Sequence, residues 1–224
     1  MREEVEKFQG HMERVELREY GGIAFFVGQL HGMSAVLCRT GVGKVNAAMC
    51  SQILIDRFAV SGLLFTGVAG ALHPQLRIGD VVIADECLQH DVDASALGFA
   101  PGQIPFQETH IFPTDPFWRQ RAVEAARAEA AGRVQVGRVL SGDQFIADPV
   151  RVKELRQVWQ GDCVEMEGAA VAQVCYANRV PLALIRTLSD QADGKAPENF
   201  AQFVAEAAEN SYRIVSRMVR DWQE

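Results

Sequence analysis

Apolar and polar positions along this chain follow two spacings, one typical of strands and the other typical of helices. Residues 14–40 form short apolar runs broken by glycine-containing turns, which predicts an antiparallel meander. Helical spacing follows at residues 43–58, and a buried strand at residues 62–67 runs into a glycine turn. With a short helix at residues 2–8, the first quarter of the chain already mixes both kinds of element.

The same alternation continues to the end of the chain. The remaining predicted elements are a strand at 78–85, a helix at 115–131, a strand at 133–140, a helix at 149–159, a short strand at 163–164, a helix at 167–177, a strand at 181–188 and a last helix. In the last helix, apolar residues between Phe200 and Trp222 recur at the spacing of a core-facing helix. Residues 91–114 lack periodicity, so we expect a long loop there, and long loops in compact domains are usually functional.

Strands that alternate with helices indicate a mixed, largely parallel sheet with helices on both faces. The 224 residues contain no repeat, low-complexity run or linker, which predicts one domain over residues 1–224. We expect an α/β fold of three layers, α/β/α, around a central mixed sheet. In such folds ligands bind at the carboxyl ends of the strands, so polar residues at strand ends are the candidates for function.

Composition and charge narrow the classes of function. Apolar residues make up 48% of the chain, which excludes wholesale disorder, and no apolar stretch reaches the length of a membrane span. The first residues are too acidic for a signal or transit peptide, so we expect a cytoplasmic protein. With 22 basic against 29 acidic residues and a net charge of −7, the chain has no electrostatic reason to bind nucleic acid. A neutral or zwitterionic small molecule is the expected partner.

Metal and cofactor motifs are not supported by the sequence. The five cysteines never form a CxxC pair, which is typical of reduced and buried thiols. The acids of His90-Asp91-Val92-Asp93 have no second cluster to match them, so we expect no metal. Gly41-Val42-Gly43-Lys44 fails the phosphate-loop pattern, because Cys38 and Val45 stand where glycine and Ser or Thr are required. Thr66-Gly67-Val68-Ala69-Gly70 departs from the dinucleotide pattern, and we expect no cofactor.

Three strand ends carry residues with both a structural and a chemical interpretation. Asp190 ends an apolar strand; it is either a helix cap or an acid accessible to a ligand. Glu167, at a strand-to-helix junction, is either a first-turn acid favoured by the helix dipole or a carboxylate that accepts hydrogen bonds from two sugar hydroxyls. Phe145, beyond a third strand, either fills core or stacks on a purine.

Taken in order, these segments resemble the 5′-methylthioadenosine/S-adenosylhomocysteine nucleosidases of the purine nucleoside phosphorylase superfamily, over essentially the whole chain. The segments that carry the resemblance are Glu3–Val5, Gly41–Val45, Thr66–Gly70, Gly79–Asp85, His90-Asp91, Ser141–Ile146, Val164–Glu167 and Arg186–Asp190. The resemblance implies a nucleoside phosphorylase-like fold and hydrolysis of the N-glycosidic bond of 5′-methylthioadenosine and S-adenosylhomocysteine. The products would be adenine and the corresponding thioribose, a reaction of methionine salvage.

The resemblance also implies a role for each matching residue. Asp190 is the expected acid that protonates the purine at N7, oriented by Ser189. Glu4 is the expected base that activates the attacking water, with Arg186 near both. The other expected substrate contacts are Gly70 beside the ribosyl group and the water, Phe145 stacked on adenine, the backbone of Ile146 at the ring edge, Met166 beneath the sugar, Glu167 on the ribose hydroxyls, and Glu165 and Phe200.

Known members of this family are typically homodimers in which the long loop reaches the neighbouring active site. The resemblance therefore implies a homodimer here, with Leu97 and Pro105 contributing to the pocket for the alkylthio group. Water is the only co-substrate that it implies.

The expected chemistry requires these residue types. Breaking the N-glycosidic bond builds positive charge on the ribose and negative charge on the base, and a positioned acid that protonates the base contributes ~10²–10⁴ in rate. Because Asp190 must hold a proton near neutral pH, we expect an apolar or ligand-closed setting that raises its pKa.

The sequence departs from the family pattern at two places. The family normally begins with a short apolar strand, whereas this sequence starts at the Glu-Glu-Val segment. We therefore expect either a sheet without that strand or a start further upstream, and Glu4 close to a frayed terminus. Val68 stands where many relatives carry serine, which removes one hydrogen bond worth about 0.5–1.5 kcal/mol at most.

Three other functions remain open from the sequence. A phosphorylase would need cationic groups to hold phosphate, but the Thr66–Gly70 turn carries no arginine and Glu4 would repel the anion. An aminodeoxyfutalosine nucleosidase would use the same catalytic groups and differ only in the pocket for the 5′ substituent. A non-catalytic module that binds adenine nucleosides would result if Glu4 were misplaced.

Overall fold

The structure is a computed structural model that describes residues 2–192 and 196–222, without the side chains of residues 196–201. Six helices are described: α1 (Arg2–Gln9), α2 (Lys44–Phe58), α3 (Pro116–Glu129), α4 (Pro149–Trp159), α5 (Gly168–Asn178) and α6 (Ala196–Asp221). The strands of the same part of the chain are β1 (Met12–Tyr20), β2 (Ile23–Leu30), β3 (Met33–Cys38), β4 (Leu63–Ala71), β5 (Val81–Gln89), β6 (Ile111–Pro113), β7 (Val134–Ser141), β8 (Cys163–Glu165) and β9 (Leu182–Asp190). The predicted α/β fold with a mixed sheet is confirmed.

Helices α3 and α4 begin with the same N-capping pattern. Asp115 precedes α3, and its carboxylate accepts a hydrogen bond from the backbone N–H of Trp118 at 2.9 Å. Asp148 does the same for α4 by accepting from Val150 N at 3.0 Å. Each helix then has proline at its first position, where no backbone N–H is needed. The sequence places these two helix starts by itself.

The strands form two sheets. The predicted meander is confirmed, since β1, β2 and β3 pair antiparallel in that order. The second sheet has six strands in the order β6-β5-β7-β8-β4-β9, with β4 parallel to β9 and β5 parallel to β7. Val81–Ile83 of β5 also pairs with β9, so this sheet curls and closes on itself.

A groove of about 900 Å³ separates the two sheets. It lies between β3 and the first half of β4, and residues from α1 and α6, including Phe8 and Val219, also line it. Helix α1 is the first element of the described chain.

Helices cover both faces of the six-stranded sheet. On one face α1, α3 and α6 pack around a core that includes Ile83, Ile185 and Met218. On the other face α2 and α5 pack over residues such as Val82 and Leu184. The apolar stripe predicted for the last helix is buried as expected from Ala207 to Val219. No helix in the described residues is long and apolar enough to cross a membrane.

The loop predicted at 91–114 contains two short elements that the sequence did not indicate. Ser95–Leu97 forms a single 3₁₀ turn, and Ile111–Pro113 forms β6, which pairs antiparallel with Glu86–Leu88 of β5. Three residues are too few to show an alternating pattern, so only the tertiary pairing reveals this strand.

Candidate active site

A cavity of about 590 Å³ opens where β4, β7, β8 and β9 end. This is the edge of the sheet at which parallel strands place their carboxyl ends, as expected from the fold. Most of the candidate residues line it together: Gly70, Phe145, Ile146, Glu165, Met166, Glu167, Arg186, Ser189 and Asp190. These residues are far apart in the sequence, and the ends of four strands bring them to one place.

Asp190 is the last residue of β9, and its side chain is only 3% exposed. Its Oδ2 accepts a hydrogen bond from the Ser189 hydroxyl at 2.8 Å, and its Oδ1 accepts from Ala192 N at 2.7 Å. Helix α6 begins only at Ala196, so Asp190 is not its cap residue. Of the two interpretations of this residue, the helix cap is therefore wrong.

A β-bulge aims Asp190 at the cavity. Ala69 of β4 pairs with Leu188, whereas Gly70 pairs with Asp190, so Ser189 is the extra residue of the bulge. A bulge turns a side chain away from the regular alternation of a strand, and such irregularities are common beside active sites. Gly70 is also required sterically, because a Cβ there would lie 2.8 Å from Asp190 Oδ1.

Glu167 precedes α5, but its side chain does not cap that helix. One carboxylate oxygen instead accepts a hydrogen bond from Gly43 N, at 2.7 Å, across the cavity wall. Burial raises the pKa of Glu167, and the nearby charge of Glu165 raises it further, while the Gly43 hydrogen bond opposes both. Glu167 is thus a partly buried carboxylate that is fixed at one oxygen and faces the cavity.

We expected Glu165 to contact the substrate directly, but its carboxylate is occupied by other groups of the protein. Its side chain is buried, and Arg186 Nη2 donates to its Oε2 at 2.6 Å. Oε1 accepts from the Ser141 hydroxyl and from Glu167 N, and both oxygens lie within hydrogen-bonding distance of Gly168 N. These donors occupy the lone pairs of the carboxylate. We therefore correct its role to that of an anchor for the strand-to-helix junction at Glu167.

Arg186 belongs to the same buried network. Besides Glu165, it donates to the carbonyl oxygen of Ile185 at 3.0 Å, and its guanidinium lies 4.3 Å from the ring centroid of Phe65. We expected Arg186 to lie near Glu4, but none of these contacts involves Glu4. Burial acts to lower the pKa of Arg186, but the charge and hydrogen bonds of Glu165 raise it on balance, so the guanidinium stays charged.

Phe145 is 52% exposed and faces the cavity, so the core-filling interpretation of this ring is wrong. The loop that carries it is held by a polar cluster. Asp143 Oδ1 accepts from Lys44 N at 2.8 Å, Asp143 N donates to Asp91 at 2.9 Å, and Lys44 Nζ pairs with Asp91 at 2.6 Å. The cluster ties the loop after β7 to the start of α2.

Glu4 lies in α1 and is only 3% exposed, which differs from the frayed position expected for it. The Thr66 hydroxyl donates to its carboxylate at 3.1 Å. Thr66 lines the cavity, whereas Glu4 lines the adjoining groove between the two sheets. Thr66 also lines the groove, so its hydroxyl links Glu4 to the cavity.

Two expected substrate contacts do not line this cavity. Leu97 is 72% exposed, and neither it nor Pro105 lines the cavity in the single chain. The side chain of Phe200 lies outside the described residues. A contribution of Leu97 and Pro105 to a neighbouring subunit stays a prediction.

Several residues of the cavity were missed from the sequence. Arg39, Thr40, Gly41 and Val42 form one wall, and Arg2 lies beside them. The sequence shows the Gly41–Lys44 segment as a failed phosphate loop and as part of the resemblance, but with no role at the site. Positive φ values of 86° at Gly41 and 94° at Gly43 give the turn that brings Gly43 N to Glu167. Arg2 and Arg39 are also cations at the cavity, and the sequence-based case against a phosphate site did not include them.

Comparison with known proteins gives consistent results. The family model described as "Phosphorylase superfamily" matches residues 1–220. The chain is similar to a 5′-methylthioadenosine/S-adenosylhomocysteine nucleosidase of Geobacillus thermodenitrificans, with 41% identity over 224 residues, 98% of this chain and 93% of the relative. It is also similar to the crystal structure of the nucleosidase of the same name from Neisseria meningitidis in complex with methylthio-immucillin-A. There the TM-score is 0.93 at 38% identity, over 99% of this chain and 96% of that chain.

A second kind of neighbour has the same fold. The structure of a futalosine hydrolase mutant of Helicobacter pylori matches with a TM-score of 0.93 at 32% identity, over 99% of this chain and 96% of that chain. The fold alone therefore does not separate these two specificities.

Proposed function

Because this chain belongs to the phosphorylase superfamily and, within it, to the 5′-methylthioadenosine/S-adenosylhomocysteine nucleosidases, it is an N-glycosyl hydrolase, and we propose that Asp190 and Glu4 are its catalytic pair. The resemblance inferred from the sequence motifs is thereby confirmed. In the proposed reaction, water cleaves the N-glycosidic bond of 5′-methylthioadenosine or S-adenosylhomocysteine. Adenine and the corresponding thioribose leave, both in a form that salvage reactions can reuse.

One observation carries the proposal: the buried carboxylate of Asp190 and the partly buried carboxylate of Glu167 meet the exposed ring of Phe145 around a single cavity. A purine nucleoside offers an apolar ring face, a basic ring nitrogen and a pair of sugar hydroxyls. An aromatic ring, a positioned acid and a carboxylate acceptor match these three features. The cavity volume of about 590 Å³ is in the range of small-molecule sites.

Asp190 supplies the proton to the leaving base. Ser189 and Ala192 N hold both of its oxygens, so the carboxyl keeps one orientation while the substrate binds. Protonation at N7 neutralises the negative charge that develops on adenine as the bond breaks. With Phe145 on one face of the ring and the backbone of Ile146 at its edge, the base is held for that transfer.

Glu4 takes up the proton of the attacking water. Its carboxylate is buried beside the cavity and hydrogen-bonded by Thr66, which itself lines the sugar side of the cavity. We place the water next to Thr66 and Gly70, opposite the departing base. In that position the carboxylate orients the water against the positively charged sugar carbon.

Glu167 holds the ribose. Since Gly43 N fixes one of its oxygens, the carboxylate presents a defined edge to the two hydroxyls of the sugar, above Met166. Two hydrogen bonds to one ionised carboxylate fix the sugar in rotation as well as in position. The reacting carbon is thereby kept between the acid and the base.

Product analysis tests the proposed reaction. We expect the protein to release adenine and free methylthioribose from 5′-methylthioadenosine at the same rate with and without phosphate in the buffer. A requirement for phosphate, with the sugar 1-phosphate as product, would show a phosphorylase instead. Binding of the nucleoside without any adenine release would show a non-catalytic binding protein.

The similarity to futalosine hydrolase favours one second candidate, an aminodeoxyfutalosine nucleosidase. The same acid, base and ribose contacts would serve it, and only the pocket for the 5′ substituent would differ. Competition between 5′-methylthioadenosine and aminodeoxyfutalosine in one reaction separates the two. We expect a higher kcat/KM for 5′-methylthioadenosine, and the reverse preference would assign the second function.

We further propose that the enzyme acts as a homodimer in the cytoplasm. The loop after β5 exposes Leu97 and Phe106, the latter at 93%, and large apolar side chains this exposed are typical of interfaces. All five cysteines are free thiols, which suits a reducing compartment. The molar mass in solution, measured by light scattering, tests the dimer; a monomer at assay concentrations would overturn it.

A further inference from the structure

Two thiols lie in contact beside the active-site wall. Cys38 is the last residue of β3, Cys50 lies in the second turn of α2, and their sulfur atoms are 3.3 Å apart. They form the only hydrogen-bonded thiol pair in the described part of the chain. The other three cysteines (Cys87, Cys163 and Cys175) are buried without such a contact.

The contact changes the acidity of the pair. A thiol that donates a hydrogen bond to a neighbouring sulfur stabilises the thiolate there, and this lowers the pKa of Cys50 while it raises that of Cys38. Burial instead raises the pKa of Cys87, Cys163 and Cys175, for Cys175 to about 12. The thiolate is the reactive form of cysteine. Among the five cysteines, the pair is therefore the more reactive, because it contains the one thiol whose pKa is lowered.

The pair is also accessible from one side. Cys50 is fully buried, but Cys38 is only partly buried and lines the groove of about 900 Å³ between the two sheets. A molecule as small as hydrogen peroxide fits this groove. Oxidation would therefore begin at Cys38, with Cys50 as the neighbouring thiol.

We propose that Cys38 and Cys50 form an intramolecular disulfide when the protein meets a peroxide. The Cys38 sulfur attacks one peroxide oxygen as its thiol proton passes to the Cys50 thiolate, the O–O bond breaks, and the leaving hydroxide takes up a proton to become water. The Cys50 sulfur then attacks the sulfenic sulfur of Cys38, the S–O bond breaks, and a second water carries away the hydroxyl and the remaining proton. Two thiols are oxidised, and one peroxide is reduced to two waters.

The disulfide would act on the substrate site through the segment that it brackets. Residues 39–43 connect β3, which carries Cys38, to α2, which carries Cys50. Within this segment, Arg39–Val42 line the cavity, and Gly43 N donates a hydrogen bond to Glu167. An S–S bond of about 2.05 Å requires the two sulfurs to approach by about 1.3 Å. Because such displacements beside a bound substrate are costly, we expect KM to rise roughly three- to tenfold.

Thiol counting and peptide mapping test the disulfide independently of the proposed function. After peroxide treatment we expect the full chain to lose two of its five free thiols. Trypsin should then release the peptide of residues 19–39 linked to that of residues 45–57, and dithiothreitol should separate them. Cys38→Ser and Cys50→Ala should each prevent this link, whereas Cys175→Ser, which removes a lone buried thiol, should leave it intact.

Each alternative result would overturn part of the proposal. Five intact thiols in the wild type, or a link to any other cysteine, would refute the disulfide whatever the variants do. If the mapped disulfide formed and KM for 5′-methylthioadenosine stayed the same, the effect on the site would be refuted. Absence of any adenine release would count against the proposed function alone, since the mapping does not depend on it.

Discussion

At the residue scale, the two glutamates of the Glu165-Met166-Glu167 segment show what sequence can and cannot decide. Both are carboxylates at the same strand-to-helix junction, and both were expected at the substrate. Only the contacts separate them, because Arg186 and Ser141 occupy Glu165 whereas Gly43 leaves Glu167 facing the cavity. These partners come from distant parts of the chain. No local pattern could assign the anchor and the ligand contact.

This difference predicts opposite outcomes for two matched substitutions. Glu165→Gln removes one charge of a buried ion pair and should destabilise the fold by about 3–5 kcal/mol, because Arg186 is left uncompensated. Glu167→Gln should leave stability nearly unchanged and mainly raise KM. Thermal unfolding and steady-state kinetics of both variants check this. Equal loss of stability in the two variants would contradict the assignment.

The raised pKa of Glu167 predicts how kcat/KM falls on the acid side of its pH profile. Only the ionised carboxylate accepts from both ribose hydroxyls, so kcat/KM should fall as pH drops through a pKa above the usual 4.5. The same group favours folding when protonated, so its contribution to stability is present below the unfolded pKa and is lost as pH rises through the folded one. The acid limb should disappear in Glu167→Gln. Persistence of the same limb would assign it to another group.

Glu4 offers a test with an adjacent control. Glu4→Gln should lower kcat by ~10²-fold or more, since an amide cannot take the proton of the attacking water. Glu3→Gln changes the neighbouring exposed acid of the same helix and should leave kcat unchanged. Adenine release by both variants is the measurement. Equal activity of the two would remove Glu4 from the mechanism.

At the scale of elements, local signals were sufficient for most helices and for the meander. Helices α3 and α4 follow from an aspartate cap and a proline, and the meander follows from its glycine turns. The closure of the sheet by β5 and β9, and the bulge at Ser189, depend on pairing between strands about a hundred residues apart. Such pairings leave no local pattern, and that bulge is what aims Asp190.

The close approach of the two strands at the bulge predicts that position 70 must be glycine. In Gly70→Ala the new Cβ would lie within 2.9 Å of both Asp190 Oδ1 and Ala192 Cβ, so the acid must shift. We expect kcat to fall at least roughly tenfold, because small displacements of a catalytic group are costly. Gly10→Ala, where the new Cβ meets only ordinary contacts at 3.6 Å, is the control. A wild-type kcat in Gly70→Ala would contradict the tight approach.

At the scale of the whole molecule, the cavity stands where β4, β7, β8 and β9 end and where the wall before α2 closes over them. The fold class predicted this location, and most of the site residues predicted from the resemblance line the cavity. The wall of Arg39–Val42 was missed, because it matches no sequence pattern and is placed at the cavity by the turn that brings Gly43 N to Glu167. In the proposed function, this arrangement serves one step, the transfer of a proton from Asp190 to the leaving base.

Adenine release by Asp190→Asn is the most direct test of that step. An amide in the same place keeps the size of the side chain but has no proton to give, so kcat should fall by ~10²–10⁴ while KM stays within about threefold. Asp56→Asn, at an exposed position of α2, should behave as wild type. If Asp190→Asn, with wild-type thermal stability, released adenine as fast as wild type, Asp190 would not be the acid.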